Sequence, residues 1–294
     1  MTDSNPLPAE QQARRLLEHA SLTRRLANAP FEVLSGGHAN RSWRVRDEQH
    51  AWCVRLNSID AECLGVSRVS ECRLLAMLGE AGLSPRVLHC DAESGILVTQ
   101  FIEGAHWTRE SAIQPENLSR LAGYLRRLHA LPARPGMAAV DFSRQADRLL
   151  RLLAPGVVPE ALESASRLVF GRLGQREVSV VCHNDVHRLN IVDQGCRIWL
   201  VDWEYGGLGD YLYDLASFLC YLQAGPQVCA ALLSYYEGSQ PRTTQRELDD
   251  ACWAFDYVRW LWYEAQQDGL AALNAEERDE VAELEQRLLL SIPR

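Results

Sequence analysis

Apolar residues change their spacing along this chain, from a strand-like alternation in the first hundred residues to a helical three-and-four spacing afterwards. Residues Glu10 to Asn28 predict an amphipathic helix, with Leu16, Leu17, Ala20, Leu22 and Leu26 on its apolar face. Phe31–Leu34, Ser42–Arg46 and Ala51–Leu56 read as strands, the first followed by the Gly36-Gly37 pair and the second by a turn at Asp47–His50. A helix from about Ser67 to Glu80 ends at Gly82-Leu83-Ser84-Pro85, a Gly-then-Pro stop. Arg86–Cys90 and Gly95–Phe101 read as two more strands, with Ile102-Glu103-Gly104 as a connector that closes a first lobe, 1–103.

From Gln114 onward the pattern is helical. Leu118, Leu121, Ala122, Leu125 and Leu128 share a face, and further helices are expected at 144–153, 160–173, 210–223, 226–236, 244–267 and 274–290. Two short strands around the turn Asp193-Gln194-Gly195 interrupt this run. The expectation is an α+β chain with a mainly helical second lobe over 104–294 and a cleft between the lobes.

With 294 residues the chain is long enough for two lobes, and 47% apolar with 23% charged residues is an ordinary globular composition. The net charge of -9 argues against a general nucleic-acid binder, which needs a basic surface. Nine scattered cysteines without a C-x-x-C pair predict reduced thiols, and there is no apolar leader or membrane-length apolar run. A soluble, cytoplasmic protein that engages no membrane is expected.

The chemistry concentrates between Val181 and Tyr205. Asp185 is followed five residues later by Asn190, and Asp202 closes the apolar strand Ile198–Val201. One carboxylate to orient a hydroxyl, plus an amide and a second carboxylate to hold Mg²⁺ on phosphates, is what phosphoryl transfer from ATP requires. An Asx turn or helix cap also uses Asp and Asn at such spacings. A carboxylate at the end of an apolar strand needs a partner, and a divalent cation is a natural one.

The segment His183-Asn184-Asp185, Asn190, Asp202-Trp203-Glu204-Tyr205-Gly206, Gly209-Asp210 and Asp214-Leu215-Ala216 resembles the choline/ethanolamine kinase and thiamine kinase group. That group belongs to the aminoglycoside phosphotransferase-like, protein-kinase-like superfamily. The resemblance implies a two-lobed kinase-like fold with a small antiparallel-sheet N-lobe. It makes Asp185 the catalytic base or hydroxyl-orienting residue, Asn190 and Asp202 the Mg²⁺ ligands, and His183 a brace for the loop. It assigns Leu34–Asn40, with Gly36, Gly37 and Asn40, to the phosphates of ATP. Arg55 stands where the superfamily usually has a lysine, and Glu71 is its matching helical carboxylate. The connector residues Gln100, Phe101 and Ile102 are implied in base binding, with Val54 and Val98 as candidate apolar contacts to adenine.

For the acceptor, Trp203 and Tyr205 flank Glu204, and Trp253, Phe255, Tyr257, Trp260, Trp262 and Tyr263 crowd one late helix. Aromatic faces and carboxylates together suit a small cation carrying a hydroxyl, although aromatic residues at helical spacing also pack cores. Trp262 and Gln266 match choline-site positions of choline kinases, while Arg259 replaces a tryptophan of that family. The implied acceptor is of choline/ethanolamine type. Thiamine, an aminoglycoside, or a non-catalytic metabolite-binding role are the alternatives.

Overall fold

Where apolar side chains alternate, the chain forms strands. The computed structural model describes residues 8–19, 23–34, 40–57, 65–176, 178–267 and 275–293. They divide into two units, Met1–Ala105 with Val192–Glu204 and His106–Ile191 with Tyr205–Arg294.

In the first unit, α1 (Ala9–His19) and α2 (Arg24–Ala27) precede β1 (Phe31–Val33), β2 (Arg41–Arg46) and β3 (Ala51–Leu56). After α3 (Arg68–Glu80) come β4 (Val87–Asp91) and β5 (Ile96–Gln100). The five strands make one antiparallel sheet in the order β1-β2-β3-β5-β4. Trp43 lies opposite Val54, Val45 opposite Trp52, and Val54 opposite Val98. The two-residue period puts these side chains on one face, where they pack with Ala13, Leu17 and Leu26 of the helical segment.

The single helix expected over 10–28 is divided into α1 and α2. The Thr23 hydroxyl donates to Leu17 O at 2.9 Å and Arg24 Nε to Glu18 O at 3.1 Å, so side chains satisfy carbonyls that a continuing helix would give to backbone amides. Helix α3 starts as its sequence predicts, with the Ser67 side chain accepting from Ser70 N–H at 3.3 Å. It ends before Gly82, whose φ of +65° suits glycine.

The expectation of reduced thiols is corrected in this unit, because Cys72 of α3 and Cys90 of β4 form a disulfide with their Cα atoms 5.7 Å apart. They lie 18 positions apart in the chain, and the packing of α3 beside β4 brings them together. No local spacing in the sequence announces such a pair.

The chain continues through β6 (Ala105–His106), α4 (Arg109–Ala112), α5 (Pro115–His129), α6 (Phe142–Leu150), α7 (Glu160–Leu173) and β7 (Val180–Cys182). A 3-10 turn at Arg188–Asn190 leads to β8 (Ile191–Asp193), β9 (Ile198–Leu200) and β10 (Gly207–Gly209). Helices α8 (Tyr211–Leu222), α9 (Pro226–Glu237), α10 (Gln245–Gln267) and α11 (Ala275–Leu290) complete the second unit. A five-stranded antiparallel sheet followed by helices is the α+β class that the sequence predicts. No helix among the described residues is long and apolar enough to cross a membrane.

Helix α8 is the centre of the second unit. Asp210 caps it by accepting from Leu212 N–H at 3.0 Å, and Arg176 holds that cap at 2.6 Å while reaching Glu247 of α10 at 2.6 Å. Nearly every residue of α8 is buried. Beside it β7 pairs with β10, with Cys182 opposite Gly207, and Leu208 exchanges backbone hydrogen bonds with Ala138 and Val140 at 2.8 and 2.7 Å.

A side chain at Gly207 would meet the backbone at once, since a Cβ there would lie 2.6 Å from Ala138 O and 2.7 Å from Val140 Cγ2. Gly207→Ala is therefore expected to destabilise the chain by about 1–3 kcal/mol through overpacking, read as a lowered urea midpoint at unchanged slope.

Candidate active site

Two clusters of polar side chains stand out, one in each unit. In the first unit, β3 directs Trp52 and Val54 into the sheet's apolar face, while Arg55 enters a charged cluster with α3. Arg55 Nη2 donates to both oxygens of Glu71 at 2.5 and 2.6 Å, its Nη1 to Asp202 Oδ1 at 2.7 Å, and its Nε to Asn57 Oδ1 at 2.8 Å. Burial disfavours the Arg55 charge, but Glu71, Asp202 and Glu204 outweigh it and push its pKa up.

Arg68, which the sequence reading passed over, extends the cluster. Its Nη1 lies 3.0 Å from both Glu71 Oε2 and Glu204 Oε2, and its Nη2 donates to Asn40 Oδ1 at 3.1 Å. Asn40 in turn donates to Glu204 at 2.8 Å. Burial and the neighbouring Asp202 raise the Glu204 pKa, with Arg55, Arg68 and Asn40 working against them. Two guanidinium groups and three carboxylates thus share one largely buried site, where each charge stands because another faces it. Asp202 adopts a left-handed φ of +63°, and its side chain is 39% exposed.

In the second unit, the loop after β7 is held by α8. Asp214 Oδ1 accepts from Asn184 N–H at 2.6 Å and Oδ2 from His183 N–H at 3.0 Å, while Ser217 Oγ accepts from Val186 N–H at 3.0 Å. Asn184 sits at φ +64°, and its side chain donates to Tyr205 O at 3.0 Å. His129 Nε2 lies 3.0 Å from Asp214 Oδ2, and His129 Nδ1 lies 2.7 Å from the Tyr236 hydroxyl. His129, Cys182 and Asp214 are close enough to invite comparison with a metal centre. The hydrogen bonds of Asp214 and His129 serve to brace the loop.

The same loop presents Asp185. Asn190 Nδ2 donates to Asp185 O at 3.0 Å and Oδ2 at 3.2 Å, and the Tyr221 hydroxyl donates to Oδ1 at 3.1 Å. His187 Nδ1 accepts from Leu189 N–H at 3.2 Å, which puts the ring proton on Nε2, 3.6 Å from Asp185 Oδ2. Burial drives the Asp185 pKa upward, yet His187, His183 and Tyr221 outweigh it and hold it below the ordinary carboxylate value. Asp185 is an ionised acceptor in a partly dry setting.

Gly36 and Gly37 fall outside the described residues. Gln100 N–H donates to Arg86 O at 2.7 Å, Phe101 N–H to Ala51 O at 2.9 Å, and Ile102 is buried, so the connector is tied to the sheet. Val54 and Val98 are fully buried opposite one another and are core residues. Trp203, read as a substrate contact, is 1% exposed, and its indole N–H donates to Leu200 O at 3.0 Å. Glu204 belongs to the charged cluster above. Tyr205 is half-buried.

The aromatic helix α10 divides in the same way. Trp253, Phe255, Tyr257, Trp260 and Tyr263 are buried, with Trp253 stacked on Tyr257 at 5.2 Å. Trp262 remains half-buried. Arg259 is buried, ion-paired to Asp256 at 3.1 Å, with its guanidinium carbon 4.8 Å from the Tyr221 ring centre.

Comparison with known proteins gives these arrangements a context. The profile described as phosphotransferase enzyme family matches residues 30–250. The protein LicA of Haemophilus influenzae is 26% identical over 214 residues, which are 70% of this chain and 62% of LicA. The chain thus spans about three-fifths of the length of the curated relatives that it matches. A choline/ethanolamine kinase family protein of Mesorhizobium loti has a similar fold, with a TM-score of 0.75 at 24% identity, covering 96% of this chain and 98% of the other. Choline kinase LicA of Streptococcus pneumoniae gives 0.76 at 22% identity, covering 89% and 94%.

If Asp214 braces the loop as its contacts indicate, Asp214→Ala strands two buried amides at roughly 1–3 kcal/mol each. A fall of at least about 2 kcal/mol in unfolding free energy is expected by urea titration, with His183 and Asn184 amides losing hydrogen-exchange protection.

Proposed function

The chain belongs to the phosphotransferase enzyme family, and on that premise we propose that it moves the γ-phosphate of ATP to the primary hydroxyl of a small cationic metabolite of choline or ethanolamine type. The observation that carries the reading is the Asp185 carboxylate, ionised and held by Tyr221 and Asn190 on a loop that α8 fixes. Such a group can accept a hydrogen bond from an acceptor hydroxyl and direct its oxygen at phosphorus, so that most of the rate gain comes from positioning.

Arg55, held by both oxygens of Glu71, supplies fixed positive charge for the α- and β-phosphates. The residues assigned to Mg²⁺ fit a hard cation. Asn190 spends its amide nitrogen on Asp185, which leaves the amide oxygen as the coordinating atom, and Asp202 offers a partly exposed carboxylate. Mg²⁺ held by such oxygens would neutralise charge on the β- and γ-phosphates. The acceptor class is supported by the choline and ethanolamine kinases of similar fold and by the half-buried Trp262 on α10. We place the reaction in the cytoplasm, where ATP is at hand.

Coupled ADP release with ATP·Mg²⁺ and choline, ethanolamine, thiamine, homoserine, aminosugars or kanamycin tests the reading. Turnover is expected with choline or ethanolamine, and preference for kanamycin or thiamine would reassign the acceptor. Asp185→Ala and Asp202→Ala are each expected to lower kcat by at least about a thousandfold while the far-ultraviolet circular dichroism stays unchanged. Wild-type turnover in Asp202→Ala would refute its assignment to the metal.

A further inference from the structure

Asp185 has one hydrogen-bond partner that neither its own loop nor the sequence reading supplies. Tyr221 lies in the last turn of α8, seven residues beyond Asp214, and its hydroxyl donates to Asp185 Oδ1 at 3.1 Å. The opposite oxygen, Oδ2, receives Asn190 Nδ2 at 3.2 Å and faces His187 Nε2 at 3.6 Å. The carboxylate is therefore gripped at both ends, from a helix on one side and from its own loop on the other. Two such bonds fix both its position and the rotation of its plane, and a single bond leaves that rotation open.

The ring that delivers this hydroxyl is itself held. His187 packs on it at 4.7 Å between ring centres, Phe255 meets it edge-on at 5.6 Å, and the Arg259 guanidinium carbon lies 4.8 Å from its centre. Arg259 is kept in place by Asp256 at 3.1 Å, one turn earlier on α10. A cation against a phenol ring withdraws electron density from it and strengthens the hydroxyl as a donor. The bland alternative is a packed tyrosine whose hydroxyl found the nearest acceptor, as buried tyrosines commonly do. A ring clamped by the catalytic loop and by α10, with its hydroxyl on the carboxylate assigned to the acceptor hydroxyl, argues for more.

We propose that Tyr221 is a positioning residue for phosphoryl transfer: seated by Arg259, Phe255 and His187, it sets the orientation in which the Asp185 carboxylate receives the acceptor hydroxyl. The proposal rests on the kinase reading above. It names a residue acting through Asp185, so its effect belongs on the chemical step and not on nucleotide binding.

The test is Tyr221→Phe, which keeps the ring and removes only the hydroxyl. With the acceptor that the wild type turns over, kcat is expected to fall on the order of 10- to 100-fold while KM for ATP stays within about twofold. The thermal midpoint should hold within a few degrees. In an Asp185→Asn background the same change should cost no further rate, because its route of action is already cut. A second readout needs no acceptor. In the chain labelled with 3-fluorotyrosine, the ¹⁹F resonance that Tyr221→Phe removes should shift on Asp185→Asn. An unmoved resonance, an unchanged kcat, or an equal loss in both backgrounds would each overturn the proposal. If the wild type phosphorylates nothing in the panel, the kinase reading itself falls and takes the catalytic meaning of the contact with it, even where the ¹⁹F shift shows that the contact exists.

Discussion

The carboxylate of Asp214 is out of contact with solvent, and the backbone amides of His183 and Asn184 together with His129 meet its hydrogen-bonding needs. That constraint works in both directions. A loop without regular structure has amides that no helix or sheet ladder satisfies, and burying them unpaired would be costly. Helix α8 answers with one stripe of polar residues. Asp210, Asp214, Ser217 and Tyr221 are spaced by four, three and four, so they lie along one face of a helix that is otherwise apolar and buried. In turn they cap the helix, take the amides of His183 and Asn184, take the amide of Val186, and reach the side chain of Asp185. The rotation of one helix thereby sets the geometry of the whole loop, and the Arg176 bridge to Asp210 and Glu247 holds that rotation at the helix start.

The first unit solves a related problem with charge. Arg55 and Arg68 are buried beside Glu71 and Glu204, a combination in which losing one member exposes the rest to an uncompensated desolvation cost. Asp202 is the one carboxylate of the set that keeps substantial exposure. The cluster therefore leaves a surplus negative charge at its most open point, which is where a cation would be most favourably received. That Arg55 is arginine and not lysine suits this arrangement, since a planar guanidinium can serve Glu71, Asp202 and Asn57 at once.

Much of the scaffold was legible because strands and helices here obey their periods. Trp43, Val45, Trp52 and Val54 alternate and end on one face, and the helices α5 and α7 through α11 fall where three-and-four spacing puts them. What escaped had no periodic signal. The strands β6, β7 and β10 are two or three residues long, α4 is a single turn, and Thr23 ends a helix by a side-chain contact that no propensity reports. In the site, Arg55, Glu71 and Asp202 could be associated through the resemblance, and the structure does bring them together. The partners of Ser217 and Tyr221, and those of Arg68 beyond Glu71, could not, because they lie far away in the chain. The polar stripe on α8 is the one signal that sequence alone carried and that went unread.

Arg259 shows why residue type misleads where partners decide. Read as a bare substitution in an aromatic site, it puts a cation where a cationic acceptor should sit. In the structure its charge is met by Asp256, and its flat face is spent on Tyr221. Burial resists the charge, but Asp256 and Tyr221 outweigh it and raise its pKa, so the guanidinium is a permanent internal cation. A cation already paired and stacked repels a second one far less than an isolated charge would, since its field is largely cancelled at a distance. On the proposed reading an ammonium-bearing acceptor is then compatible with Arg259, and on the same helix Trp262, proposed to meet that acceptor, keeps a buried indole N–H without a hydrogen-bond partner among the described residues.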